Sequence, residues 1–88
     1  MSAEELEYNK LMSDGRWYES KGDSYYNQGY YSDAQNWYHR AKNCYDSAYD
    51  VASRTNNIAT YDATSSSNRV DSAYRDCGYK LGEGWSLF

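Results

Sequence analysis

The sequence has no proline and few aliphatic residues. It has four leucines, one isoleucine, two valines and two methionines among 88 residues, against twelve tyrosines and three tryptophans. Tyrosine must therefore supply much of the buried area, and each buried phenol needs a hydrogen-bond partner. Without proline, helices must end at glycines or at capping side chains.

The chain also lacks a basic run and a long apolar run. Its net charge is −4, whereas binding to nucleic acid needs clustered Lys and Arg, so we expect no nucleic-acid partner. No apolar segment approaches the roughly 18 residues of a membrane span. The acidic opening, residues 1–7, is unlike a signal peptide. We therefore expect no membrane association and a cytoplasmic location, where Cys44 and Cys77 stay reduced.

A first helix is predicted over residues 3–28. Ser2 and Glu5 have the spacing of a capping box, and Gly29 is placed to end the helix in a left-handed conformation. Apolar and small residues follow at helical spacing: Leu11, Gly15, Tyr18, Gly22 and Tyr25. Glycine inside a helix costs about 0.5–1 kcal/mol, so Gly15 and Gly22 indicate a neighbour that packs very closely. The alternative is a turn at Asp14-Gly15 that breaks the helix.

A second helix is predicted over residues 32–54, capped by Ser32 or Asp33. It has the clearest periodicity of the chain, with small and large residues alternating along one stripe: Ala34, Tyr38, Ala41, Tyr45, Ala48 and Ala52. Large side chains of this stripe would fit the small residues of the first helix. The two helices are thus expected to form an antiparallel hairpin.

A third helix is predicted to begin near residue 57 or only by residue 68 and to end near residue 80. Its expected buried face is Val70, Ala73, Tyr74, Cys77 and Leu81. The chain is expected to be one all-α domain, residues 1–88, in which this helix covers the hairpin as a three-helix bundle. The tail, residues 82–88, is expected to be mobile or to fold back onto the bundle.

Residues 16–45 resemble a tetratricopeptide repeat, a helical hairpin of about 34 residues. The resemblance depends on Tyr18, Gly22, Tyr25, Gly29, Tyr31, Ala34, Tyr38 and Ala41. Lys21 departs from the family's usual leucine, and no proline follows the second helix. A shift by 34 residues reveals no second repeat, so the third helix or self-association must cover the hairpin.

The resemblance implies a partner-binding row along the first helix. The matching residues are Arg16, Glu19, Asp23, Tyr26 and Asn27. The acidic side chains of Glu19 and Asp23 do not suit a clamp for a carboxylate, so a basic or neutral partner segment is expected. The alternative interpretation is that Glu19 and Asp23 lie on the solvated side of a helix.

No residue pattern indicates catalysis, a metal or a cofactor. His39 is the single histidine, and no partner at a recognisable spacing would orient it. A zinc site needs about four Cys or His ligands, whereas Cys44 and Cys77 are interpreted as small core thiols. The ending Ser86-Leu87-Phe88 is weakly similar to peptides that bind PDZ-type domains.

These observations favour a non-enzymatic protein-interaction module with a tyrosine-rich, acidic helical surface. The main alternative is a structural subunit, either of a homo-oligomer such as a homodimer or of a larger assembly such as a virion. A small-ligand binder or enzyme is the least favoured hypothesis.

Overall fold

The computed structural model describes the backbone of residues 1–86 and the side chains of residues 1–82. Three helices follow one another: α1 (Ala3–Asn27), α2 (Tyr31–Ser53) and α3 (Tyr61–Ser86). The first two form an antiparallel hairpin, and α3 runs back along α2. The predicted all-α bundle is confirmed. The hypotheses on Trp85, Leu87 and Phe88, including the PDZ-type ending, concern side chains outside the described residues.

The first helix begins and ends as its sequence predicts. The Ser2 hydroxyl accepts a hydrogen bond from the Glu5 backbone N–H at 3.1 Å, and the Glu5 carboxylate accepts one from the Ser2 N–H. Gly29 has a φ of +83°, and the Tyr30 N–H reaches back to the Tyr25 carbonyl at 2.9 Å. This bond closes a left-handed cap that turns the chain directly into α2.

The predicted cap of the second helix is wrong. Its N-cap is Tyr30, which forms no side-chain cap, and Ser32 and Asp33 lie inside the first turn. The Ala34 N–H already bonds to the Tyr30 carbonyl at 2.9 Å, because the turn at Gly29 delivers the chain in a helical direction. Asp33 instead supports the helix by placing a negative charge near its N-terminus.

The third helix differs at both ends from the predicted bounds. It begins at Tyr61, between the two predicted starts, and continues through Gly78 and Gly82 to Ser86. The serine-rich segment, residues 64–68, has low helix propensity. It is nevertheless helical because Ser66 and Ser67 are buried against the hairpin, 8% and 6% exposed. Small side chains there let α3 approach α2 closely.

The core lies along α2. Every residue of the predicted small-and-large stripe is buried: Ala34, Tyr38, Ala41, Tyr45, Ala48 and Ala52. From α3, Ala63, Val70 and Cys77 are buried with them, and Ala73 is half-buried. Tyr74 and Leu81, which were predicted to share this face, are each 36% exposed. They lie at the edge of the core.

Close packing explains both interior glycines of α1. A Cβ added at Gly15 would lie 2.6 Å from Cε1 of Tyr45, and one added at Gly22 would lie 2.6 Å from Cδ1 of Tyr38. The two tyrosine rings therefore rest on bare backbone. The helix is continuous through Gly15, so the alternative of a turn at Asp14-Gly15 is wrong.

Candidate functional site

The predicted row on α1 lies along the side of the hairpin that faces α3. Arg16, Asp23 and Asn27 are exposed, whereas Glu19 and Tyr26 are half-buried. The structure thus places all five residues on one helix, but it gives them different surroundings.

Glu19 joins three helices. Its carboxylate accepts a hydrogen bond from the Tyr45 hydroxyl at 2.7 Å and two from the Arg69 guanidinium, from Nε and Nη2, each at 2.7 Å. Burial raises the pKa of Glu19, but the bonds from Arg69 and Tyr45 outweigh burial and lower it overall. Its side chain is only 16% exposed, so Glu19 is not on the solvated side of the helix.

Asp23 and Tyr26 also form bonds within the protein. The Tyr38 hydroxyl donates to Asp23 at 2.6 Å, and the Tyr26 hydroxyl donates to Asp76 of α3. Burial, followed by the bond to Asp23, raises the pKa of Tyr38. The bond to Asp76 raises the pKa of Tyr26 to about 12. The expectation that each buried phenol finds a partner is thus confirmed for Tyr38 and Tyr45.

A second surface covers the side of the hairpin that faces away from these bonds. We call it the aromatic face and define it as Trp17, Tyr18, Tyr25, Tyr30 and Trp37. The Trp37 ring is central: it stacks on Tyr18 with centroids 5.8 Å apart and on Tyr25 at 6.3 Å with an interplanar angle of 6°. Trp17 contacts Trp37 edge to face at 5.8 Å.

The aromatic face is partly open to solvent. Trp17 is 55% exposed and Tyr30 is 56% exposed, while the other three rings are half-buried. Partial burial fixes the positions of the Tyr18, Tyr25 and Trp37 rings. The exposed rings of Trp17 and Tyr30 supply contact area.

Two cations lie on the same face. Lys21 Nζ is 5.1 Å from the centroid of the Trp17 ring, and Arg40 Cζ is 5.0 Å from the centroid of the Trp37 ring. These are distances at which a ring attracts a cation. Sequence reasoning missed this face as a unit. The available signals were the spacings Trp17/Lys21 and Trp37/Arg40, which place each cation one turn after its ring.

His39, Cys44 and Cys77 were considered above for catalysis or metal binding. His39 is exposed, and its ring centroid lies 6.0 Å from that of Tyr74. Cys44 is half-buried and Cys77 buried, both as free thiols, and burial raises the pKa of each. Among the described residues, no group of three or more His, Cys, Asp or Glu is arranged to hold a metal ion.

No helix in the described part of the chain combines the length and the apolar character needed to cross a bilayer. Comparisons of the chain with protein-family models, with curated proteins and with solved structures find no match. The resemblance to a tetratricopeptide repeat therefore stays a prediction from the sequence.

Proposed function

We propose that this protein is a non-enzymatic protein-interaction module that recognises its partner through the hairpin of α1 and α2. The observation that carries the proposal is the aromatic face, where an exposed tryptophan and an exposed tyrosine extend from a layer of fixed rings. Trp, Tyr and Arg are the residues that most often dominate binding energy at protein interfaces. Because their supporting rings are already packed, little entropy is lost on binding.

The predicted row on α1 is the second candidate surface. It suits a basic or neutral segment, because Asp23 is exposed and Glu19 and Asp76 lie nearby. However, Glu19, Asp23 and Tyr26 already join helices to one another. Arg16 and Asn27 take no part in these three bonds, so they can be changed to probe the row without breaking them.

A cytoplasmic location remains part of this proposal, and it is supported by Cys44 and Cys77 being free thiols, which a reducing compartment maintains. In this proposal its hairpin acts as a tetratricopeptide-like unit with α3 as its cover, and it uses neither a cofactor nor a catalytic group.

The test is affinity capture from the native host with four immobilised proteins. Two variants probe the surfaces: Trp17→Gln/Tyr30→Gln for the aromatic face and Arg16→Ala/Asn27→Ala for the row. A matched control, Tyr61→Gln/Tyr79→Gln, removes two tyrosines that are 76% and 71% exposed on α3. Thermal melting confirms that each variant is folded.

We expect a partner that the wild type and the α3 control retain and that the aromatic-face variant loses. Loss only with the row variant would move the contact to the row. If all four proteins recover the same set, that set is background and the interaction proposal is wrong.

The alternative function is a structural subunit of a homo-oligomer. It is favoured by the exposure of Leu6 and Trp17, at 59% and 55%, on the same helix, since such side chains are often buried between subunits. Sedimentation velocity at micromolar concentration decides this alternative. A strict monomer would exclude it, and a stable dimer or higher species would support it.

A further inference from the structure

The two cations of the aromatic face form no ion pair with an acidic side chain of residues 1–82. Four ion pairs form within the described residues: Lys10–Asp14, Lys42–Asp46, Arg69–Glu19 and Arg75–Asp71. Neither Lys21 nor Arg40 takes part in them, although the chain carries more acidic than basic residues. Both are exposed and are positioned over tryptophan rings instead.

We propose that the aromatic face binds an acidic peptide segment that carries an aromatic side chain. Its carboxylates pair with Lys21 and Arg40, and its ring packs beside Trp17. This inference rests on the proposed function and specifies the partner's chemistry at this one face.

Charge complementarity is the first reason. A cation held over a ring keeps its outward N–H donors, and a guanidinium can bind a carboxylate through two parallel hydrogen bonds. The Trp17 and Trp37 rings are 5.8 Å apart, and each has one cation over it, so the two positive charges are held on adjoining rings. A peptide segment with carboxylates on both sides of an aromatic side chain matches this arrangement.

The exposed ring of Trp17 offers a contact to the aromatic side chain of the peptide. Trp17 is packed edge to face on Trp37 and remains 55% exposed. A partner ring can therefore add to the existing layer by a stacked or edge-to-face contact, and each such pair strengthens affinity about two- to tenfold. The acidic remainder of the chain repels an acidic partner at long range, so recognition depends on these local contacts.

Other occupants fit less well. A second copy docked face to face through a two-fold axis would bring the positive charges of one face toward those of the other, which is unfavourable. An anionic membrane would also attract the cations, but interfacial helices bury a broad row of Leu, Phe or Trp. The aromatic face has no Leu, Ile or Phe, and only Trp17 and Tyr30 among its rings are more than half exposed.

The experiment measures binding of two short synthetic peptides by calorimetry and by the fluorescence of the protein's tryptophans. One peptide alternates glutamate with phenylalanine, and the other alternates lysine with phenylalanine; both have blocked ends. The wild type should bind the glutamate peptide at least about tenfold more tightly, because opposite charges meet at the face.

Two double variants with the same net charge test the position of the charges. Lys21→Glu/Arg40→Glu should reverse the preference toward the lysine peptide. Arg75→Glu/Lys80→Glu, which changes cations on α3, should keep the preference for the glutamate peptide. Equal binding of both peptides by the wild type, or the same loss in both variants, would overturn the proposal.

Two further measurements, of vesicle binding and of host-partner capture, complete the test. If vesicles containing phosphatidylserine bind the wild type and the glutamate peptide does not, the face is a lipid-binding surface and the proposal is wrong. If neither binds but Trp17→Gln/Tyr30→Gln still loses a host partner, the interaction module survives and only the acidic chemistry is overturned.

Discussion

The two helices that flank α2 are held by different means. On the α1 side, the rings of Tyr38 and Tyr45 rest on Gly22 and Gly15 with no space for a methyl group. On the α3 side, the contacts are small residues and hydroxyls: Ser67 donates to Asp46 and accepts from Lys42 at 3.1 Å. Both interfaces contain hydrogen bonds, since Tyr38 and Tyr45 donate to Asp23 and Glu19 of α1. Only the first has rings packed on bare backbone, so we expect added volume to disrupt it most strongly.

The largest effect should come from filling the space under the rings. Gly15→Ala and Gly22→Ala should each destabilise the protein by about 1–3 kcal/mol, as overpacking does. Gly82→Ala is the matched control, because nothing lies within 4 Å of its added Cβ. It should stabilise the helix by about 0.5–1 kcal/mol. Denaturant unfolding of the three variants measures this, and equal effects would contradict the packing account.

Alkaline pH should weaken the same interface through its hydroxyls. Burial, followed by bonds to Asp23 and Glu19, raises the pKa of Tyr38 and Tyr45 above the ordinary value of 10.0. Above that pH the unfolded chain loses protons that the folded protein keeps. Stability therefore falls as pH rises, by up to about 1.4 kcal/mol per pH unit for each tyrosine.

Unfolding measured at a series of pH values from neutral to alkaline checks this dependence. Tyr38→Phe should show a shallower decline than the wild type, because one of the shifted groups is absent. An unchanged slope would mean that Tyr38 ionises as freely in the folded protein as in the unfolded chain.

Removing the bridge between α1 and α3 should have a smaller effect. Arg69→Met deletes two charge-assisted bonds to Glu19 and should cost about 1–2 kcal/mol, since Arg69 is itself half-exposed. Arg75→Met breaks an exposed pair with Asp71 one turn away and should change stability by less than about 0.5 kcal/mol. Similar losses in both variants would show that the Glu19 bridge has no special weight.

Acid should act on this bridge with the smallest effect. The folded pKa of Glu19 lies below its ordinary value of 4.5, so Glu19 contributes stability above that pH and loses it as pH falls through the folded pKa. Thermal melting is measured from pH 6 downward over about two to three pH units. The melting temperature should decline less for Glu19→Gln than for the wild type. A parallel decline would assign the acid sensitivity to other carboxylates.

The hairpin was largely predictable from the sequence because its signals are local. Glycines seven residues apart and the stripe from Ala34 to Ala52 lie within single helices, and each pattern names the face that must be buried. The N-cap of α2 was not predictable in this way, because the turn at Gly29 removes the need for Ser32 or Asp33 to cap the helix.

The surroundings of the predicted row were beyond sequence reasoning for a different reason. The bonds Glu19–Arg69 and Tyr26–Asp76 each join residues 50 positions apart. Their formation depends on how α3 aligns with α1, and no local pattern in the serine-rich start of α3 specifies that alignment. The aromatic face likewise combines residues of two helices, and it becomes recognisable only once the hairpin is closed.

The most direct measurement is a double-mutant cycle between Gly22 and Tyr38, with unfolding measured in a stabilising osmolyte. If the ring occupies the space beside the glycine, Gly22→Ala lowers stability in the wild type but raises it by about 0.5–1 kcal/mol when Tyr38→Ala is also present. This reversal of sign is the predicted result. The same change in both backgrounds would contradict the close contact on which the closed hairpin and its aromatic face depend.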